Sequence, residues 1–184
     1  MAVIVCDCDN VLNNLQEVVV GLFNERYDAN YTLNDFQTYD VTNSLPYNEA
    51  VVMTEMYSEY GLCDLVKPAL GAQSGLEKLV NAGHQVYIVT HHPPKTYGEK
   101  VEWIKKYFPF INDDHIVCMK HKWLFKADIM IEDCVETLLA KPFYERILVD
   151  YPWNRHVRDY PYNIHRCTNW NEIVDVVNKI NDGE

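Results

Sequence analysis

A chain of 184 residues fits one domain, or one core domain carrying a small insertion. With 48% hydrophobic and 23% charged residues it reads as an ordinary folded globular chain, long enough to bury a sizeable core without disulfides or a structural metal. Its formal charge of −11 repels polyanions, which excludes nucleic acid polymers and anionic membrane surfaces as expected partners. A small anionic ligand stays admissible, because a metal, a lysine or a helix N-terminus can supply local positive charge.

In chain order, residues 2–6 (AVIVC) form a short apolar, β-branched run of the kind buried on both faces of a parallel sheet, and residues 7–10 (DCDN) break it. Residues 12–27 carry apolar positions compatible with a helix. Residues 29–60 change character: Tyr, Asn and Thr accumulate, Pro46 interrupts, and short helical pieces occur only near Asp35 and over residues 49–60, which marks an insertion or cap. After Pro68 regular alternation returns. A helix is predicted over residues 72–82 with Gly83 as its stop, then a strand over 85–89 and a helix over 98–107 followed by Pro109. Further strands are predicted at 115–118, 128–131, 147–149 and within 162–167, with a helix over 135–140 and a closing helix over 171–180 capped by Asn169 or Asn171. Short apolar strands alternating with helices predict an α/β fold with a parallel sheet between helical layers.

The six cysteines show no disulfide or zinc spacing, and several lie in strand-like runs where thiols act as small hydrophobes. That usage reads as free thiols in a reducing, cytoplasmic compartment. No basic leader precedes a long apolar core, and no apolar run approaches membrane length.

Ligands of open α/β sheets bind beyond the carboxyl ends of the strands. The polar residues at those positions are Asp7 and Asp9 after the first strand, Thr90 with His91 and His92 after the second, Glu132 and Asp133 after the fourth, and Asp150 after the fifth. Carboxylates gathered at one edge repel one another unless a cation lies among them, and hard oxygen ligands select Mg²⁺. Asp7 and Asp9, two apart, can face one pocket and divide their roles, an ionised one attacking and a protonated one donating. Taken alone, the pair reads equally as a solvated turn capping the next helix.

Four motifs in order resemble the haloacid dehalogenase-like (HAD) superfamily: an apolar strand into Asp7-Cys8-Asp9-Asn10-Val11, a strand ending at Thr90, a lysine, and Glu132-Asp133 after an apolar strand. The resemblance is closer to the 5′(3′)-deoxyribonucleotidases, the deoxy C-type 5′-nucleotidases, through Val11-Leu12, residues 67–72 (KPALGA), residues 122–133 (KWLFKADIMIED), residues 150–155 (DYPWNR) and Trp170 to Ile173. It implies a three-layer Rossmann-like HAD core with a central parallel sheet, spanning residues 1–27 and 63–184, and a small helical cap inserted after the first strand at about residues 28–62.

The resemblance also implies roles. Asp7 is the nucleophile that forms an aspartyl-phosphate, and Asp9 protonates the leaving group and then activates water. Mg²⁺ is held by Asp7, the backbone carbonyl of Asp9 and Asp133, with Glu132 binding it directly or one layer further out. Glu132 departs from the usual Asp at that position. Thr90 binds a phosphate oxygen, and Lys122, with Lys120 and Lys126 as competitors, offsets charge on Asp7 and the phosphoryl group. His91 and His92 stand where the family carries small residues, and either one could meet the phosphate. Phe36, Tyr39, Tyr47, Tyr57 and Tyr60 are the candidates for stacking on a nucleobase, or else for packing the cap. The implied substrate is a deoxyribonucleoside monophosphate, with another small phosphoester or a non-catalytic nucleotide-binding module as alternatives, and homodimerisation is left open.

Overall fold

The computed structural model describes residues 1–140, 145–158 and 163–183. Its centre is a sheet of six strands, all parallel, in the order β3-β2-β1-β4-β5-β6. The strands are β1 (Val3–Cys6), β2 (Gln85–Thr90), β3 (Ile116–Cys118), β4 (Ile129–Glu132), β5 (Glu145–Val149) and β6 (Ile164–Cys167). The predicted beginning of the last strand at Tyr162 lies outside the described residues.

β1 is central because its sequence allows nothing else. Ile4, Val5 and Cys6 are all fully buried, with Ile4 and Cys6 in one core cluster and Val5 in the other, as period-two alternation requires of a strand covered on both faces. On the first face pack the helices α1 (Leu15–Tyr27), α4 (Ala72–Asn81), α5 (Tyr97–Tyr107) and α7 (Trp170–Asp182), through residues such as Val19, Leu76, Ile104 and Ile173. On the second lies α6 (Val135–Leu139), through Val135 and Leu138, beside a 3-10 turn at Lys122–Leu124. This order is that of a doubly wound sheet, whose direction reverses on either side of β1.

Two local features tie the helices to the loop after β1. The helix predicted from residue 12 begins only at Leu15, because Asn13 Oδ1 accepts from the backbone of both Asn10 and Leu15 at 3.0 Å and stabilises a loop in which Asn10 has φ 60°. The Trp170 indole donates to the Val11 carbonyl at 3.0 Å. Trp170 reaches that carbonyl by lying flat on Gly75 of α4, where a Cβ would come within 2.6 Å of its ring. Asn169 caps α7, accepting from the backbone of Asn171 and Glu172.

The inserted stretch between α1 and α4 holds 3-10 turns at Leu33–Asp35 and Val41–Asn43, then α2 (Tyr47–Met56) and the short α3 (Leu62–Leu65). Its apolar residues do not form a separate small core. Phe36, Leu45, Ala50, Met53, Met56 and Leu62 are contiguous with Leu12 and Leu15 in one cluster. Burial of that kind is worth roughly 1.5–3 kcal/mol per large side chain, so the insertion is held against the sheet edge by the main core itself. A pair of hydrogen bonds from Arg26 to Glu59 (2.6 and 2.7 Å) fastens its outer side.

Candidate active site

The carboxyl ends of β1, β2 and β4 come together at one place. β1 and β4 are in register at Cys6 and Ile131, and Asp7 N donates to the Ile131 carbonyl at 2.9 Å, so Asp7 follows the strand by one residue level with Glu132. Asp7 is buried. Its Oδ1 accepts from the backbone of Cys8 and from the Lys122 ammonium, both at 2.6 Å. Burial and the neighbouring Glu132 charge, only partly offset by Lys122, push its pKa up to about 7.

Lys122 resolves the choice among three lysines, since Lys120 and Lys126 are exposed while Lys122 is buried between two carboxylates. Its Nζ lies 2.6 Å from Asp7 Oδ1 and 2.6 Å from Glu132 Oε1. Burial disfavours its charge, but those two carboxylates outweigh burial and hold it protonated. The other oxygen of Glu132 accepts from the backbone of Asp133 (3.0 Å) and Cys134 (3.2 Å). Glu132 is therefore already occupied on both oxygens, holding Lys122 in place and organising the turn after β4.

Asp133 is different. Its Oδ2 accepts from the Asn10 amide at 3.2 Å, while its Oδ1 is buried without any hydrogen-bond partner. Burial and the charges of Glu132 and Asp7 raise its pKa well above the carboxylate range. Ligand atoms of Asp7, Glu132 and Asp133 lie within 4.8 Å of one another. A buried carboxylate oxygen with no donor, beside two more acids and a single ammonium, is costly by itself. All the donors are hard oxygens. The set therefore fits a divalent cation of the Mg²⁺ type.

Asp9 lies two residues beyond Asp7 but outside that group. Its Oδ1 is bound by the Lys100 ammonium and, at 2.9 Å, by the Asn13 amide. Burial alone raises its pKa, but Lys100 and Asn13 more than compensate and hold it below the usual range. The expected division of protons is thus reversed in this structure: Asp9 is the carboxyl held ionised and Asp7 the one pushed toward neutrality. The cause is that one lysine serves several acids at Asp7, whereas Asp9 has a lysine to itself. Lys100, which is 1% exposed and paired with Asp9, is a residue of the site that motif reasoning missed. The signal was present, for Lys100, Trp103 and Ile104 share the buried face of α5, and a lysine within an apolar helical stripe must have a partner.

The remaining candidates divide. Thr90 is buried at the last position of β2, and with Cys6 level with Ile88 it stands level with Cys8. His91 is exposed; burial of its ring and the nearby Lys120, Lys122 and His121 lower its pKa. His92 is buried, with Nε2 3.0 Å from the Thr96 hydroxyl. Tyr39 lies in the stretch between α1 and α2 and is half exposed, and the Asp133 charge, followed by burial and by Glu132, raises its pKa strongly. Tyr57 donates to Gln16 Oε1 across the junction of insertion and core. Phe36 corrects the stacking expectation: it is 1% exposed, packed near Tyr31 inside the core, with no ring face open to a ligand. Tyr47 and Tyr60 are solvent-exposed. Asp150 does not join the acidic cluster, because its two oxygens are taken by Arg155 and Arg166, each at 2.8 Å.

Known proteins resemble the chain in family and in fold. The family described as 5′ nucleotidase, deoxy (pyrimidine), cytosolic type C, matches residues 1–181. A 5′(3′)-deoxyribonucleotidase of Bacillus subtilis is 31% identical over 175 residues, covering 93% of this chain and 95% of that protein. Among solved structures, a HAD family hydrolase of Deinococcus radiodurans, described with bound phosphate and sodium, superposes with a TM-score of 0.61 at 14% identity over 97% of this chain and 96% of that one. The HAD-hydrolase YfnB of Bacillus subtilis, described as bound to magnesium, gives 0.57 at 14% identity over 96% and 98%. These two likenesses concern the fold alone.

Proposed function

The chain belongs to the cytosolic type C deoxy (pyrimidine) 5′-nucleotidase family, a group of HAD-type nucleotide phosphatases, and on that premise we propose that it hydrolyses deoxyribonucleoside monophosphates through an aspartyl-phosphate on Asp7 with Mg²⁺ as its cofactor. The observation that carries this reading is the buried Asp7–Lys122–Glu132–Asp133 cluster, with its orphaned Asp133 oxygen, at the tip of the central strand.

Asp7, the Asp9 carbonyl and Asp133 are the residues that would hold the cation. When bound, it supplies positive charge that offsets repulsion between carboxylate and phosphate. Lys122 fixes Asp7 through Oδ1, which leaves Oδ2 as the attacking atom. Attack on phosphorus forms the Asp7–phosphorus bond and breaks the bond to the nucleoside oxygen, which takes a proton from Asp9. A substrate phosphate entering beside Asp9 brings negative charge that raises its proton affinity, so that Asp9 takes up a proton from solvent before this transfer, and Lys100 holds the carboxyl in place. Water then gives its proton to Asp9 and attacks the same phosphorus, releasing phosphate and restoring Asp7. Thr90 is a donor for a phosphoryl oxygen. Tyr39, whose phenol is electrostatically coupled to Asp133 and Glu132, is the aromatic candidate for the leaving-group side. In this reading the insertion, about residues 28–62, is the cap that covers the site. Among the described residues no helix is long and apolar enough to cross a membrane, and the six cysteines are free, which supports the proposed cytoplasmic setting.

The test is phosphate release from dUMP and dTMP beside a panel of sugar phosphates, with Mg²⁺ and after chelation. Acid quenching of the Asp9→Asn variant with ³²P-labelled substrate follows the intermediate. Nucleotide preference, loss of turnover on chelation and label trapped on protein are expected. A preference for sugar phosphates would move the chain to another HAD substrate class, and turnover without any divalent ion would remove the metal from the scheme.

A further inference from the structure

The segment 150–155 (DYPWNR) plays no part in the chemistry above, yet its Asn154 is 1% exposed and lies one strand away from the acidic cluster. It sits on a 3-10 turn, Pro152–Asn154, just after β5, and β5 is paired to β4 with Leu148 opposite Glu132. The Asn154 amide donates to the Asp133 carbonyl at 2.9 Å and to the Val149 carbonyl at 2.8 Å. Its oxygen accepts from Arg166 Nη1 at 2.6 Å and from the Tyr151 backbone at 3.2 Å. Two donors and two acceptor sites are thereby filled, and the amide can be oriented only this way, since a flip would set its N–H groups against Arg166 and the Tyr151 N–H.

The Asp133 carbonyl stands one residue before Cys134, the N-cap of α6, so the hydrogen-bond ladder of that helix, which starts at the Cys134 carbonyl, does not reach it. Its named partner is Asn154. Arg166, on the edge strand β6, fixes Asn154 in turn: besides the amide oxygen it binds Asp150 Oδ1 (2.8 Å), the Asn154 carbonyl (2.9 Å) and the Val157 carbonyl (3.3 Å). The rings of Tyr151 and Trp153 stack at 4.3 Å and 4°, which stiffens the turn.

We infer that Asn154, anchored by Arg166, is the positioning residue of the cation site: it fixes the backbone of Asp133 so that its unpartnered carboxylate oxygen is presented for coordination. The inference rests on the proposed divalent-cation site. Asp133 has only the Asn10 contact on its side chain, so its aim is set from the backbone side, and outer partners of this kind change metal affinity by about 10–100-fold when removed.

The experiment is calorimetric titration of Mg²⁺ into metal-stripped wild type, Asn154→Asp, Asn154→Ala, Arg166→Gln and Arg155→Ala, with unfolding temperatures measured on the same metal-free samples. Asn154→Asp keeps the shape and the acceptors and loses both donors. It is expected to bind Mg²⁺ about 10–100-fold more weakly, with turnover recovering toward the wild-type level as Mg²⁺ is raised. Arg166→Gln is expected to give an intermediate loss. Arg155→Ala, which removes only a contact to Asp150, leaves Mg²⁺ affinity unchanged. Lower unfolding temperatures with wild-type Mg²⁺ affinity in the Asn154 or Arg166 variants would make the network purely structural and overturn the inference. If one Asn154 variant does not fold, the other and Arg166→Gln carry the same decision. A wild-type protein that binds no Mg²⁺ would instead overturn the cation site on which the inference rests.

Discussion

Asp7 and Asp9 are the same residue, two positions apart on one loop, both largely withdrawn from solvent, and their surroundings drive them in opposite directions. At Asp7, two carboxylates share the Lys122 ammonium with Asp133 close by, and burial with the excess negative charge raises its pKa to about 7. At Asp9, one carboxylate has the Lys100 ammonium and the Asn13 amide to itself, and its pKa falls below the usual range. Burial is common to both, so it does not decide the outcome. The local ratio of acids to cations does, and it marks the Asp7 side as the one that calls for another positive charge and the Asp9 side as already balanced.

The largest effect expected from breaking the contrast is at Asp7 itself. Asp7→Asn should lower turnover by at least about 10³-fold with the fold retained, as removal of a covalent nucleophile does, checked by steady-state rates and circular dichroism. Full activity would end the assignment. Next is the balanced side. Lys100→Met removes the only ammonium bound to Asp9 and should reduce kcat by about 10²-fold, the size of an acid–base contribution. If kcat is retained while only the unfolding temperature drops, Lys100 serves folding and not Asp9.

Metal binding should distinguish the two sides by stability. Mg²⁺ at 100 times its Kd contributes about 2.7 kcal/mol, or about 5–10 °C in unfolding temperature for a chain of this size. Asp133→Asn should abolish that shift, and an equal response in both proteins would put the ion elsewhere. A smaller effect follows from pH in chelated protein. The folded Asp7 carboxyl titrates near 7, against about 3.9 when unfolded, so its stabilising contribution is complete below about pH 4 and is lost as pH rises through about 7. The unfolding temperature of wild type relative to Asp7→Asn should therefore fall between about pH 4 and 7 and level off above that, and parallel profiles would assign the proton to another group. Smallest is Tyr39→Phe, which removes one hydroxyl that feels the Asp133 charge. A loss of about 0.5–1.5 kcal/mol is expected, read as a few-fold rise in KM with kcat held, and a change in kcat alone would place Tyr39 in the chemical step.

Much of this was legible beforehand. The central strand shows itself as an uninterrupted apolar run, and the acids at its tip and after β4 stand at the positions where parallel sheets bind ligands. The family resemblance pointed to Lys122 with Lys120 and Lys126 as competitors, and of the three only Lys122 is buried. The aromatic residues of the insertion were not legible, because a tyrosine or phenylalanine suits a pocket wall and a core equally well. Phe36 is buried in the core, whereas Tyr39 is half exposed. Composition set residues 29–60 apart, but it did not show that their apolar side chains join the main hydrophobic cluster.

By itself, then, the sequence determined the strands, their polar ends and the family to which those motifs belong, since such features depend on residue type and on neighbours along the chain. Which carboxylate keeps its proton, that Glu132 is spent on Lys122, that Asp150 is drawn away by two arginines and that Asn154 supports Asp133 were decided only in the folded chain. Each is a balance of charge and hydrogen bonds between residues from 5 to 91 positions apart, and no local pattern records how many partners a buried group will find.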